Sequence, residues 1–559
     1  MTSIAAGELV APALAKAGVG CVFALNGAHV QQILEGCLDH GIQLIDMRHE
    51  AAAGHAAEGY ARAGRRLGVA VVTAGPGFTN VLTSLANAYI DRTPVLYLAG
   101  GAPLAGAERN VLQSGIDQVA LAKPIAKWAH RVTVASDVPR LLAHAVRIAT
   151  SAPTGPVFLE IPWDLMLAPV DTDPVGAAEP TLPAVPCAPA AGKIDAALAL
   201  LRAASKPAIM VGVDVYRSGA CDDLRRFAET SSLPVFTEYE ALGALPGEHP
   251  LWMGTLFQLA RLPADHKPDV VLALGIRFGW NAPGFDREFA GKIIHVDTDP
   301  VEIGRLNTPA IGVVADSREA LQMLNGRAAA AWPERSAWLG TLHRAMQEIR
   351  AEASAAKGQN TTRPHPVAAA QVVCEAARNA ILVADGAFSK HWMEDVVRRG
   401  RPGCYFSHGS FGAMGIGLGV AIGAKMARPD EPVLCVSGDG AAGFTIAEFD
   451  TMVRHRLPIV VVVMNNHSWG AVDPARHPDG SNRPAGIRLG QARYDEIAKA
   501  FGGRGQYVTR LDELKAAIEA GFASGLPTCI NVEVDMGGLP PAFKAATLGL
   551  PRRPRSADP

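Results

Sequence analysis

Two polar residues that follow successive apolar runs have the types and the spacing of a metal site. Asp439 comes shortly after the apolar run at 433–436, and Asn466 comes shortly after the run at 459–464. One helix and a return strand fit between them, so the two side chains would stand at the ends of neighbouring parallel strands. A carboxylate and an amide oxygen suit Mg²⁺, which completes its coordination shell with water and substrate phosphates. The pair therefore predicts a magnesium site.

Two glycines flank the carboxylate of this pair. Because Gly438 and Gly440 have no side chain, main-chain N–H groups beside Asp439 can approach an anion closely. A G-D-G turn by itself is also common between a strand and a helix. Together with Asn466, however, this turn predicts that the metal ion is held against a ligand that carries phosphate.

A further acidic residue lies far upstream, where another predicted strand ends. Glu50 follows the strand predicted at 43–47 and begins a run of small, helix-forming residues. An acid in the first turn of a helix is often only a cap that interacts with the helix dipole. The glycine-rich segment TAGPGFTN at 73–80 follows downstream. This segment and the metal pair together favour a functional role for Glu50 over a capping role.

These motifs resemble those of the acetolactate synthase-like family of thiamine diphosphate enzymes, and the resemblance covers nearly the whole chain. It implies that Glu50 activates the aminopyrimidine of the cofactor. It also implies that Asp439, Asn466 and the main-chain oxygen of Ser468 hold Mg²⁺. The other residues that the resemblance places against the cofactor are Gly75, Asn80, Gly386, Ala387, Phe388, Ala413, Met414, Gly438, Gly440, Ala441, Trp469 and Gly470.

Loop residues beside the reactive carbon would decide the reaction. His29, on the loop after the strand predicted at 21–25, can act as an acid or a base near neutral pH, although a histidine there can equally be a cap. Gln113 lies about one residue from the place where the family has a catalytic glutamine, and both residues are taken as catalytic candidates. The segment N-G-A at 26–28 differs from the P-G-G of acetolactate synthases.

The central part of the chain resembles a nucleotide-binding domain. In relatives this domain binds FAD or ADP, and Arg277, Asp297 and Asp316 match the residues that contact phosphate, ribose or base. The sequence MGTLFQ at 253–258 stands where FAD-binding acetolactate synthases have a G-M-H-G-like segment. ADP is therefore expected in the central domain rather than FAD.

Two reactions remain open within this chemistry. The first is decarboxylation or carboligation of a 2-keto acid. The second is cleavage of a 2-hydroxyacyl-CoA to formyl-CoA and an aldehyde or ketone, which the R-F-G-W sequence at 277–280 and the basic tail at 540–559 favour. An inactive subunit would be expected to have lost Glu50. A Rossmann oxidoreductase is disfavoured, because no predicted strand leads into the glycine-rich segment at 410–424 and no acidic residue follows it at the required place.

The elements that must position these residues are short apolar strands that alternate with alanine-rich helices. Such strands, separated by helix-length segments, predict parallel sheets covered on both faces. The fold class is therefore α/β, with three doubly wound parallel-sheet domains. Strands are predicted at 21–25, 43–47, 69–73, 94–99, 157–161, 208–213, 270–274, 293–296, 381–384, 433–436, 459–464 and 530–534.

Two breaks divide the 559 residues, which are too many for one core. A linker rich in proline and alanine is predicted at 167–192, and a polar break lies at 357–366. The resulting domains are a pyrimidine-binding domain at 1–166, a central nucleotide-binding-like domain at 190–325, and a diphosphate- and Mg-binding domain with a basic tail at 360–559.

Composition excludes several classes of function. The net charge of −2 gives no field that would attract nucleic acid, and the eight cysteines lack metal-type spacing. No run approaches a membrane span and no signal sequence is seen, so we expect a cytoplasmic protein without a membrane partner. A hydrophobic content of 49% favours a homo-oligomer. The resemblance implies a homodimer or homotetramer with active sites between subunits and a small-molecule 2-keto acid or 2-hydroxyacyl-CoA as substrate.

Overall fold

The computed structural model describes residues 3–106, 109–171, 186–285, 289–355, 363–470 and 486–546. The described residues form three six-stranded sheets, in which every strand pair is parallel, and one antiparallel pair of short strands. The inner strands of each sheet are buried along their length, as expected where helices cover both faces. The predicted α/β class with three parallel-sheet domains is confirmed.

The N-terminal sheet carries the loops around Glu50. Its strands lie in the order Gln43–Asp46, Cys21–Ala24, Gly68–Val72, Val95–Gly101, Val157–Pro162 and Trp128–Arg131. Its α-helices span Val10–Lys16, Gln31–Asp39, Glu50–Gly64, Pro76–Ile90, Gln118–Ala122, Val138–Thr150 and Trp163–Met166.

The central sheet has the same parallel construction. Its strands lie in the order Trp252–Thr255, Val235–Thr237, Pro207–Val211, Val270–Leu274, Lys292–Asp297 and Ile311–Val314. The α-helices of this region span Ala191–Ala203, Val213–Arg217, Cys221–Ser231, Leu256–Ala260, Ser317–Arg327 and Ser336–Ala355.

The C-terminal sheet carries the predicted metal pair. Its strands lie in the order Tyr405–Ser407, Ile381–Asp385, Val433–Gly438, Ile459–Asn465, Thr528–Glu533 and Arg504–Val508. Its α-helices span Pro366–Ala376, Phe388–Glu394, Gly417–Ala427, Asp439–Thr445, Glu448–Arg454, Tyr494–Ala500, Leu511–Ala523 and Pro541–Ala546.

All the predicted strands are present, with ends that differ by no more than two residues. The strands that apolar runs do not indicate lie mostly at sheet edges, where they are short and less apolar. They are Trp128–Arg131, Val235–Thr237, Trp252–Thr255, Ile311–Val314, Tyr405–Ser407 and Arg504–Val508. The strand Tyr405–Ser407 leads toward the glycine-rich segment at 410–424, so the argument that no strand precedes this segment is wrong.

The predicted linker at 167–192 is wrong at both ends. The strand Pro169–Asp171 pairs in antiparallel fashion with Ser3–Ala5, and the helix Ala191–Ala203 begins within the last residues of the predicted linker. Residues 172–185 of the linker, residues 357–362 of the polar break and residues 547–559 of the basic tail lie outside the described residues. The three domain boundaries stay predictions.

Close contact between two helices joins the N-terminal and C-terminal domains. Helix Glu50–Gly64 packs against helix Gly417–Ala427 through glycines. A Cβ atom at Gly59 would lie 2.3 Å from the main-chain oxygen of Val420, and one at Gly423 would lie 1.9 Å from that of Ala56. Only glycine allows the backbones to approach this closely. Within the described residues, no helix has both the length and the apolar character needed to cross a membrane.

Candidate active site

A cleft opens at the carboxyl edge of the C-terminal sheet, where the strands Ile381–Asp385, Val433–Gly438 and Ile459–Asn465 end side by side. Its empty volume is about 490 Å³. Many of the residues predicted to contact cofactor or metal line it together, namely Gly386, Ala387, Phe388, Met414, Gly438, Asp439, Gly440, Ala441, Asn466, Ser468, Trp469 and Gly470. Motifs that are far apart in the sequence therefore meet at one sheet edge.

Asp439 presents a buried carboxylate to this cleft. Its Oδ2 atom accepts a hydrogen bond from the main-chain N–H of Ser468 at 3.0 Å, and Tyr494 donates its hydroxyl to the main-chain oxygen of Asp439 at 2.7 Å. Burial raises the pKa of Asp439 to about 6, so the carboxylate is charged at neutral pH. In the described part of the chain, no lysine, arginine or histidine lies within 4.0 Å of this carboxylate. Its charge is left for a cation to balance.

The amide oxygen of Asn466 is an unsatisfied hydrogen-bond acceptor in the cleft. Its Oδ1 atom is buried and has no hydrogen-bond partner among the described residues. An unpaired buried acceptor costs roughly 1–3 kcal/mol unless a ligand satisfies it. With Asp439 and the main-chain oxygen of Ser468, it gives a set of oxygen donors that suits Mg²⁺ better than zinc. The residues present therefore fit the predicted metal.

The glycines of the cleft keep the backbone accessible. A Cβ atom at Gly440 would lie 2.6 Å from the Cε3 atom of Trp469. Gly386 has a φ of 92°, and a Cβ atom there would lie 2.6 Å from the hydroxyl of Ser389. Side chains at these two positions would collide with their neighbours, so the cleft depends on glycine for its shape.

Asp385, which motifs did not indicate as a site residue, holds the loop that carries Met414. Its carboxylate accepts hydrogen bonds from the main-chain N–H of Gly415 at 3.0 Å and of Gly417 at 2.9 Å. A signal for it in the sequence is its position at the end of an apolar run. Ala413, which was predicted to contact the cofactor, is buried in the hydrophobic core and is not among the described residues that line the cleft.

Part of the cleft wall comes from residues without a motif. Trp392 contributes from helix Phe388–Glu394, while Asp535 and Met536 contribute from the segment after the strand Thr528–Glu533. Their positions depend on how this strand pairs with Ile459–Asn465, and the types of these residues do not reveal that pairing.

Glu50 begins helix Glu50–Gly64 and is only 7% exposed. The amide nitrogen of Asn80 donates a hydrogen bond to its Oε2 atom at 3.0 Å. The cap of this helix is His49, whose Nδ1 atom accepts a hydrogen bond from the main-chain N–H of Ala51 at 3.1 Å. Capping therefore does not account for Glu50, and its contact with Asn80 connects it to the glycine-rich segment.

His29 and Gln113 meet at Thr73. The hydroxyl of Thr73 lies 3.3 Å from Nδ1 of His29 and donates to Oε1 of Gln113 at 3.4 Å. Burial, which includes a ring contact with Trp163, lowers the pKa of His29. The imidazole is therefore neutral at neutral pH and can accept a proton.

Gln118, for which no motif exists, fixes the turn at Gly75. Its side chain accepts a hydrogen bond from the main-chain N–H of Gly75 at 2.7 Å and donates to the main-chain oxygen of Gly100 at 2.9 Å. Gly75 has a φ of 61°, which favours glycine, and helix Pro76–Ile90 follows it directly. Gln118 thus sets the start of the helix on which Asn80 lies.

The three residues of the predicted nucleotide site have other partners. Asp316 caps helix Ser317–Arg327, because its carboxylate accepts from the main-chain N–H of Arg318 at 2.7 Å. Asp297 forms an ion pair with Arg92 at 3.0 Å. Arg277 donates a hydrogen bond to the main-chain oxygen of Ile90. Each of the three predicted nucleotide contacts is thus engaged within the chain itself.

Comparison with known proteins bears on the cleft and on the fold. The family model described as "Thiamine pyrophosphate enzyme, C-terminal TPP binding domain" matches residues 385–532. The corresponding models of the N-terminal TPP binding domain and the central domain match residues 4–121 and 194–324.

Full-length relatives agree with these matches. The chain is 35% identical to a probable acetolactate synthase of Mycobacterium bovis, over 95% of this chain and 96% of that protein. It is 31% identical to 2-hydroxyacyl-CoA lyase 2 of Danio rerio, over 91% and 87% of the two chains. It is 30% identical to oxalyl-CoA decarboxylase of Escherichia coli, over 94% of each.

The three sheets and the cleft define an enzyme that depends on thiamine diphosphate, which is also called thiamine pyrophosphate. Asp439 and the glycines around it lie within the matched C-terminal domain. The chain belongs to the thiamine pyrophosphate enzyme family, among relatives that include acetolactate synthases and 2-hydroxyacyl-CoA lyases. The predicted family and the prediction of an enzyme are confirmed.

Proposed function

We propose that the chain uses thiamine diphosphate and Mg²⁺ to break or form a carbon–carbon bond next to a carbonyl, as a 2-keto acid decarboxylase or carboligase of the acetolactate synthase type. The observation that carries this proposal is a pair of oxygen donors in the glycine-lined cleft. Oδ1 of Asn466 has no hydrogen-bond partner among the described residues, and the buried Asp439 carboxylate has no described lysine, arginine or histidine within 4.0 Å. The identity of 35% to a probable acetolactate synthase supports the 2-keto acid as substrate.

In this proposal Mg²⁺ binds the Asp439 carboxylate, Oδ1 of Asn466 and the main-chain oxygen of Ser468. The ion would balance the charge of Asp439, which has no described lysine, arginine or histidine within 4.0 Å, and would satisfy the unpaired oxygen of Asn466. Its remaining positions would take phosphate oxygens and water, as is usual for Mg²⁺. The main-chain N–H of Ser468, which donates to Asp439, holds the carboxylate in place for this task.

When bound, thiamine diphosphate supplies an electron sink next to the bond that changes. Glu50 would hydrogen-bond the aminopyrimidine and hold a proton there. Because Asn80 donates to Oε2, a protonated Glu50 would carry its proton on Oε1. Burial of Glu50 keeps water from competing for that proton.

His29 and Gln113 would act on the substrate. Because burial lowers the pKa of His29, the imidazole is neutral at neutral pH and is available as a proton acceptor, while the Thr73 hydroxyl contacts its Nδ1 atom. Gln113 would orient a carbonyl oxygen through its amide N–H, since its own carbonyl oxygen already accepts from Thr73. The two side chains therefore divide proton transfer and orientation between them.

The proposal includes active sites between subunits of a homodimer or homotetramer. Glu50 is not among the described residues that line the cleft of its own chain. Large apolar side chains beside each half are exposed, with Leu112 at 79% next to Gln113 and Phe444 at 58% next to the cleft. A second copy that covered these side chains would bring Glu50 of one chain to the cleft of the other.

A 2-hydroxyacyl-CoA lyase is the second candidate. The identities of 31% to a 2-hydroxyacyl-CoA lyase and 30% to an oxalyl-CoA decarboxylase favour an acyl-CoA substrate. The sequence R-F-G-W at 277–280 also favours this candidate, and the segment N-G-A at 26–28 differs from the P-G-G of acetolactate synthases. Separate assays with a 2-keto acid and with a 2-hydroxyacyl-CoA distinguish the two candidates.

The test is to saturate the enzyme with thiamine diphosphate and Mg²⁺ and to offer pyruvate or a 2-hydroxyacyl-CoA separately, with products followed by mass spectrometry. We expect acetolactate from pyruvate. Release of formyl-CoA with an aldehyde or ketone, and no product from pyruvate, would replace the first candidate with the second. Inactivity toward both classes, with cofactor bound, would refute both.

Glu50→Gln should lower kcat at least roughly 100-fold with either substrate, because the amide cannot hold the proton that the carboxylic acid holds. A matched control is Glu513→Gln, since Glu513 also lies in the first turn of a helix but is exposed. The control should keep full activity. A fully active Glu50→Gln enzyme would contradict the assignment of the activating acid.

A further inference from the structure

The carboxyl edge of the central sheet is rich in acidic side chains. The strand Lys292–Asp297 ends in Asp297, and Asp299 and Glu302 follow within the same loop. In open parallel sheets this edge is where ligands bind. A phosphate-bearing ligand would therefore meet carboxylates at this place.

The described contacts show what balances these carboxylates. Arg92 of the N-terminal domain lies 3.0 Å from Asp297, 2.9 Å from Asp299 and 3.7 Å from Glu302. The side chain of Arg92 is 11% exposed and that of Asp297 is fully buried. Burial raises the pKa of Asp297 to about 6, so at neutral pH its carboxylate is charged, as an ion pair with Arg92 requires.

The backbone of Arg92 supports a specific role for its side chain. Arg92 comes just after helix Pro76–Ile90 and has a φ of 52°, in the left-handed region that favours glycine. A residue with a side chain is strained there, and such strain persists where the surrounding contacts repay it. The three carboxylates within reach of the guanidinium provide that compensation.

Arginines of the central domain make the reciprocal contacts. Arg277 donates to the main-chain oxygen of Ile90, and Arg217 donates to that of Asp91 at 2.8 Å. These oxygens lie at the C-terminal end of helix Pro76–Ile90, where cations are favoured. These two arginines of the central edge are thus engaged by the N-terminal domain.

We infer that Arg92 takes the place of a nucleotide at the carboxyl edge of the central sheet, so that this edge serves as a docking site for the N-terminal domain and binds neither ADP nor FAD. Access is not what excludes a nucleotide, because Arg92, Asp299 and Glu302 form part of the wall of an adjoining cleft. Charge excludes it, since phosphates would have to displace Arg92 and face its three carboxylates.

The experiment uses the full chain, saturated with thiamine diphosphate and Mg²⁺ so that the C-terminal cleft is occupied. ADP and FAD are titrated separately at neutral pH, and binding is followed by calorimetry and by the thermal midpoint at a fixed scan rate. We expect no saturable binding of either compound up to about 1 mM and no rise in the midpoint. Saturable binding of either one would overturn the inference.

Arg92→Gln tests the docking role. It should lower the thermal midpoint by roughly 5 °C or more, because it leaves buried carboxylates without their cation. Arg305→Gln is the matched control, since Arg305 also contacts Glu302, at 3.1 Å, but is 48% exposed. The control should stay within about 1 °C of the wild type.

Asp299→Asn provides an independent variant if Arg92→Gln does not fold. It removes one partner of Arg92 that is 22% exposed, and it should lower the midpoint by a few degrees. A midpoint unchanged in the variants that fold would overturn the docking role. This result would not depend on which substrate the enzyme uses.

Discussion

The C-terminal and central sheets have the same construction, but the side chains at their carboxyl edges have different partners. Both are six-stranded and parallel within the described residues. At the C-terminal edge, glycines leave the backbone accessible, Oδ1 of Asn466 has no hydrogen-bond partner among the described residues, and no described lysine, arginine or histidine lies within 4.0 Å of the Asp439 carboxylate. At the central edge, acidic side chains meet Arg92 and form an interface between domains. One architecture therefore supports a ligand site at one edge and a docking surface at the other.

Asp439 and Asp297 show how the two carboxyl edges differ. Burial raises the pKa of both Asp439 and Asp297 to about 6, so a perturbed pKa does not distinguish the two edges. Each also belongs to a strand end. They differ in their partners, because Asp297 has a guanidinium at 3.0 Å, whereas within the described residues Asp439 has no cationic side chain within 4.0 Å. A buried charge that the protein itself does not balance is the better indicator of a ligand site.

Removal of the unbalanced charge should have the largest effect. Asp439→Asn keeps the shape of the side chain but weakens its attraction for a cation. We therefore expect kcat/KM to fall by roughly 100-fold or more, and the variant to need a higher Mg²⁺ concentration for its maximal activity. The measurement is activity as a function of Mg²⁺ and thiamine diphosphate concentration.

The control for this variant comes from the central domain. Asp316→Asn should leave activity and Mg²⁺ dependence unchanged, because asparagine caps a helix about as well as aspartate does. If Asp439→Asn retained wild-type Mg²⁺ dependence, the two edges would no longer differ in the way proposed.

Local sequence patterns predict the interior of the sheets and the meeting of Asp439 and Asn466 at one sheet edge. Asp439 and Asn466 follow buried strands whose apolar runs are continuous, so strand position and residue type together placed them at one edge. The edge strand Trp128–Arg131 is not predictable in this way, because it is only partly buried and lacks a continuous apolar run.

Local sequence patterns do not predict contacts between domains. Arg92 and Asp297 are 205 positions apart, and only the docking of two domains brings them together. For the same reason Arg277, Asp297 and Asp316 matched a nucleotide pattern while the structure gives each of them a protein partner. Residue types at strand ends do not indicate whether a ligand or a neighbouring domain satisfies them.

A glycine substitution at the C-terminal edge should have the next largest effect. Gly440→Ala places a Cβ atom 2.6 Å from the ring of Trp469, and the ring must move into the cleft or the turn must shift. Overpacking of this kind costs roughly 1–3 kcal/mol, so we expect thiamine diphosphate to bind about tenfold more weakly. Calorimetric titration of the cofactor in the presence of Mg²⁺ measures this change.

Gly326→Ala is the matched control, because a Cβ atom there meets no atom within 4 Å and the position lies in helix Ser317–Arg327. It should bind the cofactor as the wild type does and be slightly more stable, since alanine favours the helix. Equal cofactor affinity in the two variants would show that the cleft does not depend on Gly440.

The smallest expected effect is a pH-dependent change in the thermal midpoint, caused by the acidic side chain of Glu238 at the central edge. Burial raises the pKa of Glu238 to about 8, and Asp214 adds to the shift, while Arg277 and the main-chain N–H of Val213 oppose it. The folded state therefore keeps a proton that the unfolded chain releases near pH 4.5. Stability that comes from this proton is present at low pH and is lost as the pH rises toward 8.

In Glu238→Gln the side chain resembles the protonated carboxyl group at every pH. In the wild type the main-chain N–H of Val213 donates to Oε2 of Glu238 at 3.2 Å, and the amide oxygen of the variant can accept the same hydrogen bond. The thermal midpoint of the variant relative to the wild type should therefore be higher at pH 8.5 than at pH 5. In Glu375→Gln the difference should be the same at both pH values, because Lys515 lowers the pKa of the exposed Glu375 and its titration lies below this range. If the difference in thermal midpoint between Glu238→Gln and the wild type did not change with pH, arginines would balance the acidic side chains of the central edge completely. The central edge would then differ from the Asp439 edge in charge balance more strongly than their similar pKa shifts suggest.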